Sequence, residues 1–462
     1  MPPFRLIALA ALVFPYASAI AQIRALPSDS AVLAIIKQRV DEKRSAGIVV
    51  GLIGADGRTR VVAYGDPGPG QPPLDGNSVF EIGSISKVFT STALASLVQD
   101  GTVKLDDPVQ KYLPVAVHVP TRGGKVITLA NLAEQNSGLP RMPTNFHPKD
   151  ASNPFADYTV QQMYDFLSGY ELPRDPGAQF EYSNFGVGLL GHVLSIAAGQ
   201  PYEELERERV WKPLDMSHTA ITFTPWMKEH LALGHDEQGK VVANWDLPTL
   251  AGAGAIRSTA TDMLRFLDAN LHPERGKVER AMELTHHERA PAGPGTSIGL
   301  NWIIVHPGTG TIVWHNGGTG GYRTFVGFEP SQRTGVVVLT NSGGTGADDI
   351  GMHLLDPALP LTPKPQPMKV RTAIDLPASA LTPYVGVYQL APTFSIDITL
   401  ADGVLSAQAT GQPKFPLYAE TPTDFFFKVV DAQVTFVRDA QGVVTGLVLH
   451  QGGANQPATK VK

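Results

Sequence analysis

The chain has 462 residues, 43% of them hydrophobic and 17% charged, with a formal charge of −6 at pH 7. That length suits two folded domains, and an acidic balance offers no basic field for a phosphate backbone, so nucleic acid is not expected as a partner. The 46 glycines and 38 prolines punctuate apolar runs without repeating, which excludes fibrous and disordered classes; the absence of cysteine excludes disulfides, thiolate nucleophiles, Cys-ligated zinc and a lipoprotein anchor. The chemistry must rest on oxygen and nitrogen side chains.

Residues 1–21 read as a signal peptide: Arg5 is the positive start, Leu6 to Phe14 the apolar core, and Ala19-Ile20-Ala21 the small-residue cleavage site. The apolar run is shorter than the roughly 20 residues that span a bilayer. A mature chain from Gln22, without a membrane span and either periplasmic or secreted, is therefore expected. From Ser28, Val32, Ile35, Ile36 and Val40 recur at helical spacing. Ile48 to Ile53 and Arg60 to Tyr64 read as strands of a hairpin turning at Asp56-Gly57. After a Pro/Gly-rich loop at Asp66 to Gly76, a helix is expected over Ser84 to Asp100, closed by Gly101.

Residues 105 to 280 read as helix and loop, and strand signals return at Gly299 to Val305, Thr311 to His315, Thr324 to Phe328 and Gly335 to Thr340. Strands at both ends bracketing a helical insert make one α/β (α+β) unit with an antiparallel sheet over residues 22–356. Pro357, Pro360, Pro363, Pro365 and Pro367 mark a stiff linker over 357–374. Beyond it, Phe394, Ile396, Ile398 and Leu400 alternate with polar residues, and Asp402-Gly403 and Gln441-Gly442 supply turns. Residues 375–462 are thus expected to form a small all-β barrel or sandwich, and they contain no catalytic, nucleotide or metal motif.

Gly83-Ser84-Ile85-Ser86-Lys87 is the sharpest local signal. If Ser84 opens a helix, a three-residue spacing puts the Lys87 ammonium on the same face as the hydroxyl. A serine nucleophile needs such a neighbouring base, and its oxyanion gains from N–H groups at a helix start; alone, the same motif also describes a plain N-cap beside a surface lysine. Tyr182-Ser183-Asn184 follows the turn signal Pro176-Gly177 and precedes an apolar helical run from Phe185 to Ala198. A tyrosine there can act as general acid or base, and an asparagine can both donate and accept. Half-ionising a phenol of pKa near 10 at pH 7 takes roughly 4 kcal/mol, about what one ammonium at 4 Å supplies at an effective dielectric of 20, so Lys87 is expected to be able to activate Tyr182. The third element is Trp314-His315-Asn316-Gly317-Gly318, at the end of a strand.

Taken in order and at these separations, Ser84-x-x-Lys87, Tyr182-x-Asn184 and His315-Asn316-Gly317 resemble the three motifs of serine β-lactamases and penicillin-binding proteins. Similarity is greatest to the branch of class C β-lactamases, D-alanyl-D-alanine carboxypeptidases, D-aminopeptidases and esterases. Phe80-Glu81-Ile82, Ser137-Gly138-Leu139-Pro140, Pro176-Gly177 and Arg257-Ser258-Thr259-Ala260 agree with it, and the likeness covers about residues 30 to 345. The resemblance implies that Ser84 attacks a carbonyl, that Lys87 and Tyr182 move protons, and that Asn184 binds the substrate amide. It further implies that the N–H groups of Ser84 and Gly318 hold the oxyanion and that His315 and Asn316 line the opposite wall, where the strand pairs with an extended substrate. Which of Lys87 and Tyr182 takes the first proton stays open.

Class C β-lactamases usually carry Lys-Thr-Gly where this chain has His315-Asn316-Gly317. A histidine of ordinary pKa is about one-quarter charged at pH 7, so efficiency on carboxylate substrates is expected to rise as pH falls from 8 to 6. Two other patterns carry no function. Gly295-Thr296-Ser297-Ile298-Gly299 lacks the strand before and helix after that a nucleophile elbow needs, since Ala290 to Gly295 reads as loop, and His286-His287-Glu288 reads as a solvated polar stretch. No metal or cofactor is expected. The partner is a small-molecule or peptide substrate: a β-lactam, a D-amino-acid peptide or an ester. A penicillin- or muropeptide-binding sensor that is acylated without turnover is the alternative of another class, and the C-terminal β domain is expected to limit substrate length.

Overall fold

The computed structural model describes residues 24–308, 310–344, 346–364, 371–391, 394–410, 412, 414–451 and 454–462. The signal peptide expected at 1–21 lies outside the described residues. The chain divides into two compact units, one through Thr362 and one from Pro363.

Ten strands of the first unit are described: β1 (Gly47–Ile53), β2 (Thr59–Gly65), β3 (Val79–Glu81), β4 (Arg257–Thr259), β5 (Ala290–Gly293), β6 (Thr296–Ile298), β7 (Ile303–Val305), β8 (Ile312–Gly318), β9 (Arg323–Glu329) and β10 (Thr334–Thr340). Eight of them make one antiparallel sheet in the order β2-β1-β10-β9-β8-β7-β6-β5, and β3 pairs with β4 apart from it. The Val/Ile/Leu runs of β1 and β10 carry no charge and are buried on both faces. Ile48, Val50 and Leu52 face one core with Val336 and Val338, and Val49 and Ile53 face the other with Val337 and Leu339. Helices account for both covers: α1 (Asp29–Asp41) and α7 (Asp348–Leu355) on the first, α2 (Ser86–Gln99) and α5 (Ala260–Leu271) on the second.

Three further helices, α3 (Val160–Gly169), α4 (Asn184–Ala198) and α6 (Lys277–His286), complete the longer elements of this unit. A second apolar core, built on α3 and α4, forms a helical lobe around Leu132, Leu139, Phe166, Phe185, Leu189 and Val193. Helix α2 belongs to both cores, through Val88 and Phe89 on the sheet side and Leu94 and Leu97 on the lobe side. It is therefore buried on every face from Ser86 to Leu97, and its small hydroxyl residues bond back into the protein: Thr90 and Thr92 donate to the carbonyls of Ser86 and Val88. None of the described helices is long and apolar enough to cross a membrane.

Three expectations change. Ala290–Gly293 is a strand and not a loop, paired with β6. The strand expected at Gly299 to Val305 is interrupted: the Gly299 N–H donates to the Trp302 carbonyl at 2.8 Å and Asn301 takes φ +60°, because the Asn301 amide is drawn inward to Ser91. Residues 357–362, assigned to the linker on their prolines, pack on the first unit. Leu359 and Leu361 join the α1/α7 core, and the Thr362 N–H donates to Asp349 Oδ2 at 2.7 Å.

The second unit is a closed antiparallel barrel of eight strands: β11 (Gly386–Ala391), β12 (Phe394–Ala401), β13 (Val404–Ala409), β14 (Lys414–Ala419), β15 (Asp424–Phe426), β16 (Ala432–Arg438), β17 (Val444–Gln451) and β18 (Ala454–Lys460). Pairing of Tyr388 with Lys460 closes it. Alternate inward residues, among them Tyr388, Ile398, Leu405, Val434, Phe436 and Leu447, fill the interior, the packing that a small barrel requires.

Candidate active site

The nucleophile candidate sits on a turn that only glycines allow. Gly83 takes φ +53°, and a Cβ there would lie 2.6 Å from the Gly318 nitrogen. Ser84 is therefore the middle residue of a short 3-10 turn, Gly83–Ile85, pressed against the end of β8 before α2 begins. The Ile82 carbonyl just ahead of it accepts from the Ile85 N–H at 3.2 Å and from the Thr324 hydroxyl of β9 at 2.9 Å. Behind it, Ser86 Oγ accepts from the Ile256 N–H at 3.0 Å. The first N–H groups of a helical turn have no partner within it, so the Ser84 N–H is free to meet an anion.

Lys87 lies one turn on, as its spacing predicts, and is fully buried. Its Nζ is 2.9 Å from Ser84 Oγ, donates to the Ala253 carbonyl at 2.6 Å, and stands 4.9 Å from the centre of the Tyr182 ring. Burial, and then the Arg141 guanidinium, hold this amine well below the usual lysine value. Tyr182 is pushed up to about 12 by burial, which a hydrogen bond to Ser84 and the charge of Arg141 only partly offset. Burial thus works against the expected activation of Tyr182 by a lysine cation. It shifts the amine toward its neutral form and keeps the proton on the phenol.

Tyr182 and Asn184 are fixed through the residue between them. The Ser183 hydroxyl caps α4 by accepting from the Gly186 N–H at 2.8 Å and donates to the Pro140 carbonyl at 2.6 Å, while its N–H donates to Gln135 Oε1 at 2.6 Å. Gln135 Nε2 donates to Asn301 Oδ1 at 2.8 Å, and Asn301 Nδ2 donates to Ser91 Oγ on α2 at 2.9 Å. One buried amide relay thus ties the tyrosine segment to α2. Asn184, the first residue of α4, lines a cavity of about 40 Å³ together with Ser84, Gly318, Phe155, Trp245 and Leu250.

On β8 the third motif divides between the two faces of the sheet. His315 faces inward, is buried, and its ring centre lies 6.2 Å from that of Tyr182. Burial and the neighbouring Lys87 push it down to about 3, against a weak upward pull from the Asn316 carbonyl, 2.6 Å from Nδ1. It is a neutral residue at pH 6 to 8, which removes the basis for the expected rise on carboxylate substrates. Asn316 points to the other face, where its Nδ2 donates to Asp348 Oδ2 at 2.6 Å. Its amide is a strut between β8 and α7 and lines none of the cavity. Gly317 lies under the nucleophile turn, with no room for a side chain, and Gly318 completes the pocket opposite Ser84.

Several site residues were not singled out from the sequence. Arg141 follows directly on Ser137-Gly138-Leu139-Pro140, and its guanidinium is 5.0 Å from the Tyr182 ring centre. Trp245 and Phe155 wall the pocket as a ring pair 5.3 Å apart. The wall is held through the flanks: β3 pairs with β4 so that Glu81 faces Arg257, Glu81 Oε1 accepts from the Trp245 N–H at 2.7 Å, and Arg257 Nη2 donates to the Trp245 carbonyl at 2.6 Å. His286 is half-buried against Trp302 and Phe328 instead of solvated, its Nε2 2.5 Å from Asn270 Oδ1, and its packing pushes it down to about 3. Ser297 lies within the β5–β6 hairpin, far from an elbow geometry. No cluster of three or more His, Asp or Glu among the described residues is placed to hold a metal ion.

Residues 32–357 match the sequence model of the family described as Beta-lactamase, and residues 370–461 match a domain of unknown function, DUF3471. The D-alanyl-D-alanine-carboxypeptidase/endopeptidase AmpH of Escherichia coli K12 is 35% identical over 313 residues, 63% of this chain and 79% of that protein. A beta-lactamase of Pseudomonas fluorescens is 28% identical over 350 residues, 68% of this chain and 94% of that protein. Among solved structures, a beta-lactamase/D-alanine carboxypeptidase from Yersinia pestis complexed with citrate aligns with a TM-score of 0.60 at 28% identity, covering 68% of this chain and 92% of that one.

Proposed function

Because the chain belongs to the beta-lactamase family of serine hydrolases, we propose that it hydrolyses the amide bond of β-lactams and related D-amino-acid peptides through an acyl-enzyme on Ser84. The observation that carries this reading is the 2.9 Å approach of Ser84 Oγ to an amine that burial holds toward its neutral form. A neutral Lys87 accepts the Ser84 proton as Oγ bonds to the carbonyl carbon. The oxyanion meets the N–H groups of Ser84 and Gly318, preorganised donors of the kind worth about 3 kcal/mol each. Tyr182, a phenol that keeps its proton, donates to the leaving nitrogen as the C–N bond breaks, and Lys87 then returns its proton to Tyr182. Water splits the resulting ester by the same groups in reverse, releasing the acid and restoring Ser84. Asn184, in the cavity wall, binds the substrate amide.

The 35% identity to a protein named D-alanyl-D-alanine-carboxypeptidase/endopeptidase favours short peptides ending in D-amino acids over β-lactams as the substrates turned over fastest. With its leader removed after Ala21, the chain works outside the cytoplasm, where such peptides occur. Purified protein incubated with nitrocefin and with an acylated D-alanyl-D-alanine peptide tests the proposal, through product per enzyme and the intact mass. Many turnovers of either substrate, lost in Ser84→Ala, are expected. A single stable adduct with no turnover of either would instead mark a sensor, and no adduct and no turnover would refute the reading.

A further inference from the structure

The two walls beside Ser84 differ in charge. On the β8 side, His315 is neutral and buried and the Asn316 amide is bound to Asp348. Arg323, next along on β9, has Nη1 committed to the carbonyl oxygens of Thr319 and Tyr322 at 2.7 and 2.9 Å, which makes it a strut for the turn after β8. On the other side stands Arg141. Its guanidinium is exposed, lies 5.0 Å from the Tyr182 ring, and pairs with no acidic side chain among the described residues. Its backbone, in contrast, is fixed: the Arg141 carbonyl accepts from the N–H groups of Asn184 and Phe185 at 3.1 and 3.2 Å, and the Pro140 carbonyl accepts from Ser183. A held main chain carrying an unpaired guanidinium beside the reacting groups is a site prepared for an anion. A planar two-donor fork is the group that fits a carboxylate.

We propose that Arg141 binds the substrate's carboxylate, so that recognition of the anionic group lies on the Tyr182 side of Ser84 instead of on the strand that carries the third motif. This rests on the acyl-enzyme reading above and names the substrate class for it: acyl compounds with a free carboxylate close to the scissile amide. The arginine fills the position left open by a third motif without a cation, from a loop that α4 holds in place.

Arg141 also bears on Lys87 and Tyr182, so its removal alters catalysis as well as binding. The discriminating quantity is therefore a ratio: kcat/KM for a D-alanyl-D-alanine peptide with a free C-terminus over that for the same peptide ending in an amide, at one pH. Changes in the catalytic groups that act alike on both peptides cancel in it. Arg141→Gln is expected to lower the ratio by about 10- to 100-fold, the worth of a charge-assisted pair, and Arg141→Lys to restore part of it, since a point charge replaces a fork. A ratio unchanged in Arg141→Gln, an equal loss on both peptides, or a ratio that collapses in Arg323→Gln but not in Arg141→Gln overturns the assignment. Wild-type protein that cleaves neither peptide would overturn the acyl-enzyme reading on peptides and the assignment with it, a result distinct from cleavage without preference.

Discussion

Gly317 is the residue on which the position of the nucleophile turn depends, and adding one methyl group tests that. In Gly317→Ala the new Cβ would lie 1.9 Å from the Ile82 carbonyl oxygen and 2.4 Å from Thr324 Oγ1, where real Cβ contacts do not fall below 3.0 Å. The strand and the turn must part by about 1.1 Å, and what moves is the carbonyl that also anchors the Ile85 N–H and the Thr324 hydroxyl. Ser84 follows two residues later. A displacement near 1 Å at a reacting atom costs about 100-fold in rate, roughly 2.7 kcal/mol of transition-state stabilisation, beside about 1–3 kcal/mol of stability for the overpacking. Gly318→Ala is the control, because its nearest contact is the end of a flexible side chain, Arg323 Nη1 at 3.2 Å, and a loss below about 5-fold is expected there. The assay is the rate of Ser84 acylation, followed by intact mass together with kcat/KM and a melting curve. A folded Gly317→Ala protein acylated at more than a third of the wild-type rate, or equal damage in the two variants, would refute the argument.

Lys87→Arg should lower kcat/KM by about 1,000-fold, since a guanidinium cannot give up its proton to become a base; retention of a tenth of the activity would exclude Lys87 as the base. His315→Gln should leave the shape of the pH–rate profile between pH 6 and 8 unchanged, because a ring pushed down to about 3 does not titrate there; an inflection near 6.5 that vanished in the variant would show otherwise. Glu206 is fully buried behind α2, its carboxylate oxygens unpaired by geometry, while the neighbouring Tyr202 hydroxyl is turned to Thr90 at 2.7 Å. Burial pushes Glu206 up to about 8 from 4.5, so the folded state holds a proton that the unfolded state has lost. Stability is then full below pH 4.5 and falls as pH rises to 8, by about 4 kcal/mol between pH 5 and 9 at 1.36 kcal/mol per unit. Glu206→Gln should flatten that slope in urea titrations, and parallel slopes in the two proteins would refute it.

The parts of this molecule that could be read from the chain are those whose geometry is local. A three-residue spacing at a helix start does place Lys87 against Ser84, and the apolar run after Asn184 does become the helix that Ser183 caps. Alternation in residues 394–400 correctly announced a strand of the barrel. What could not be read depends on partners far along the chain. The β3–β4 pair joins Glu81 to Arg257 through three-residue strands too short to show a period, and Gln135 and Asn301 meet across 166 residues. Charge states fail for the same reason. Ordinary pKa values made Lys87 a cation and His315 a partial one, but burial is a property of the packed molecule, and it pushes both down, His315 to about 3. Asn316 was read as a pocket wall from its motif alone, and its carboxylate partner Asp348 decides otherwise.

The electrostatics of Lys87 connect binding to chemistry in a way that can be measured. The groups around its amine are Ser84, the neutral Tyr182 and His315, and the Arg141 cation, which lies over the same phenol ring. Burial contributes most to holding its pKa down and Arg141 contributes next, so a carboxylate bound at Arg141 cancels the second cause and leaves the first. Lys87 then becomes a stronger base in the complex than in the free protein, when the Ser84 proton has to be taken. Because kcat reports ionisations in the complex and kcat/KM those of the free enzyme, the acid limb of kcat should lie at higher pH for the free-carboxylate peptide than for its amide, while the acid limb of kcat/KM should coincide for both. In Arg141→Gln the two kcat limbs should merge, at a pH above that of the wild-type amide. Limbs that coincide in the wild type, or stay apart in the variant, would show that the anion and the base do not communicate through Arg141.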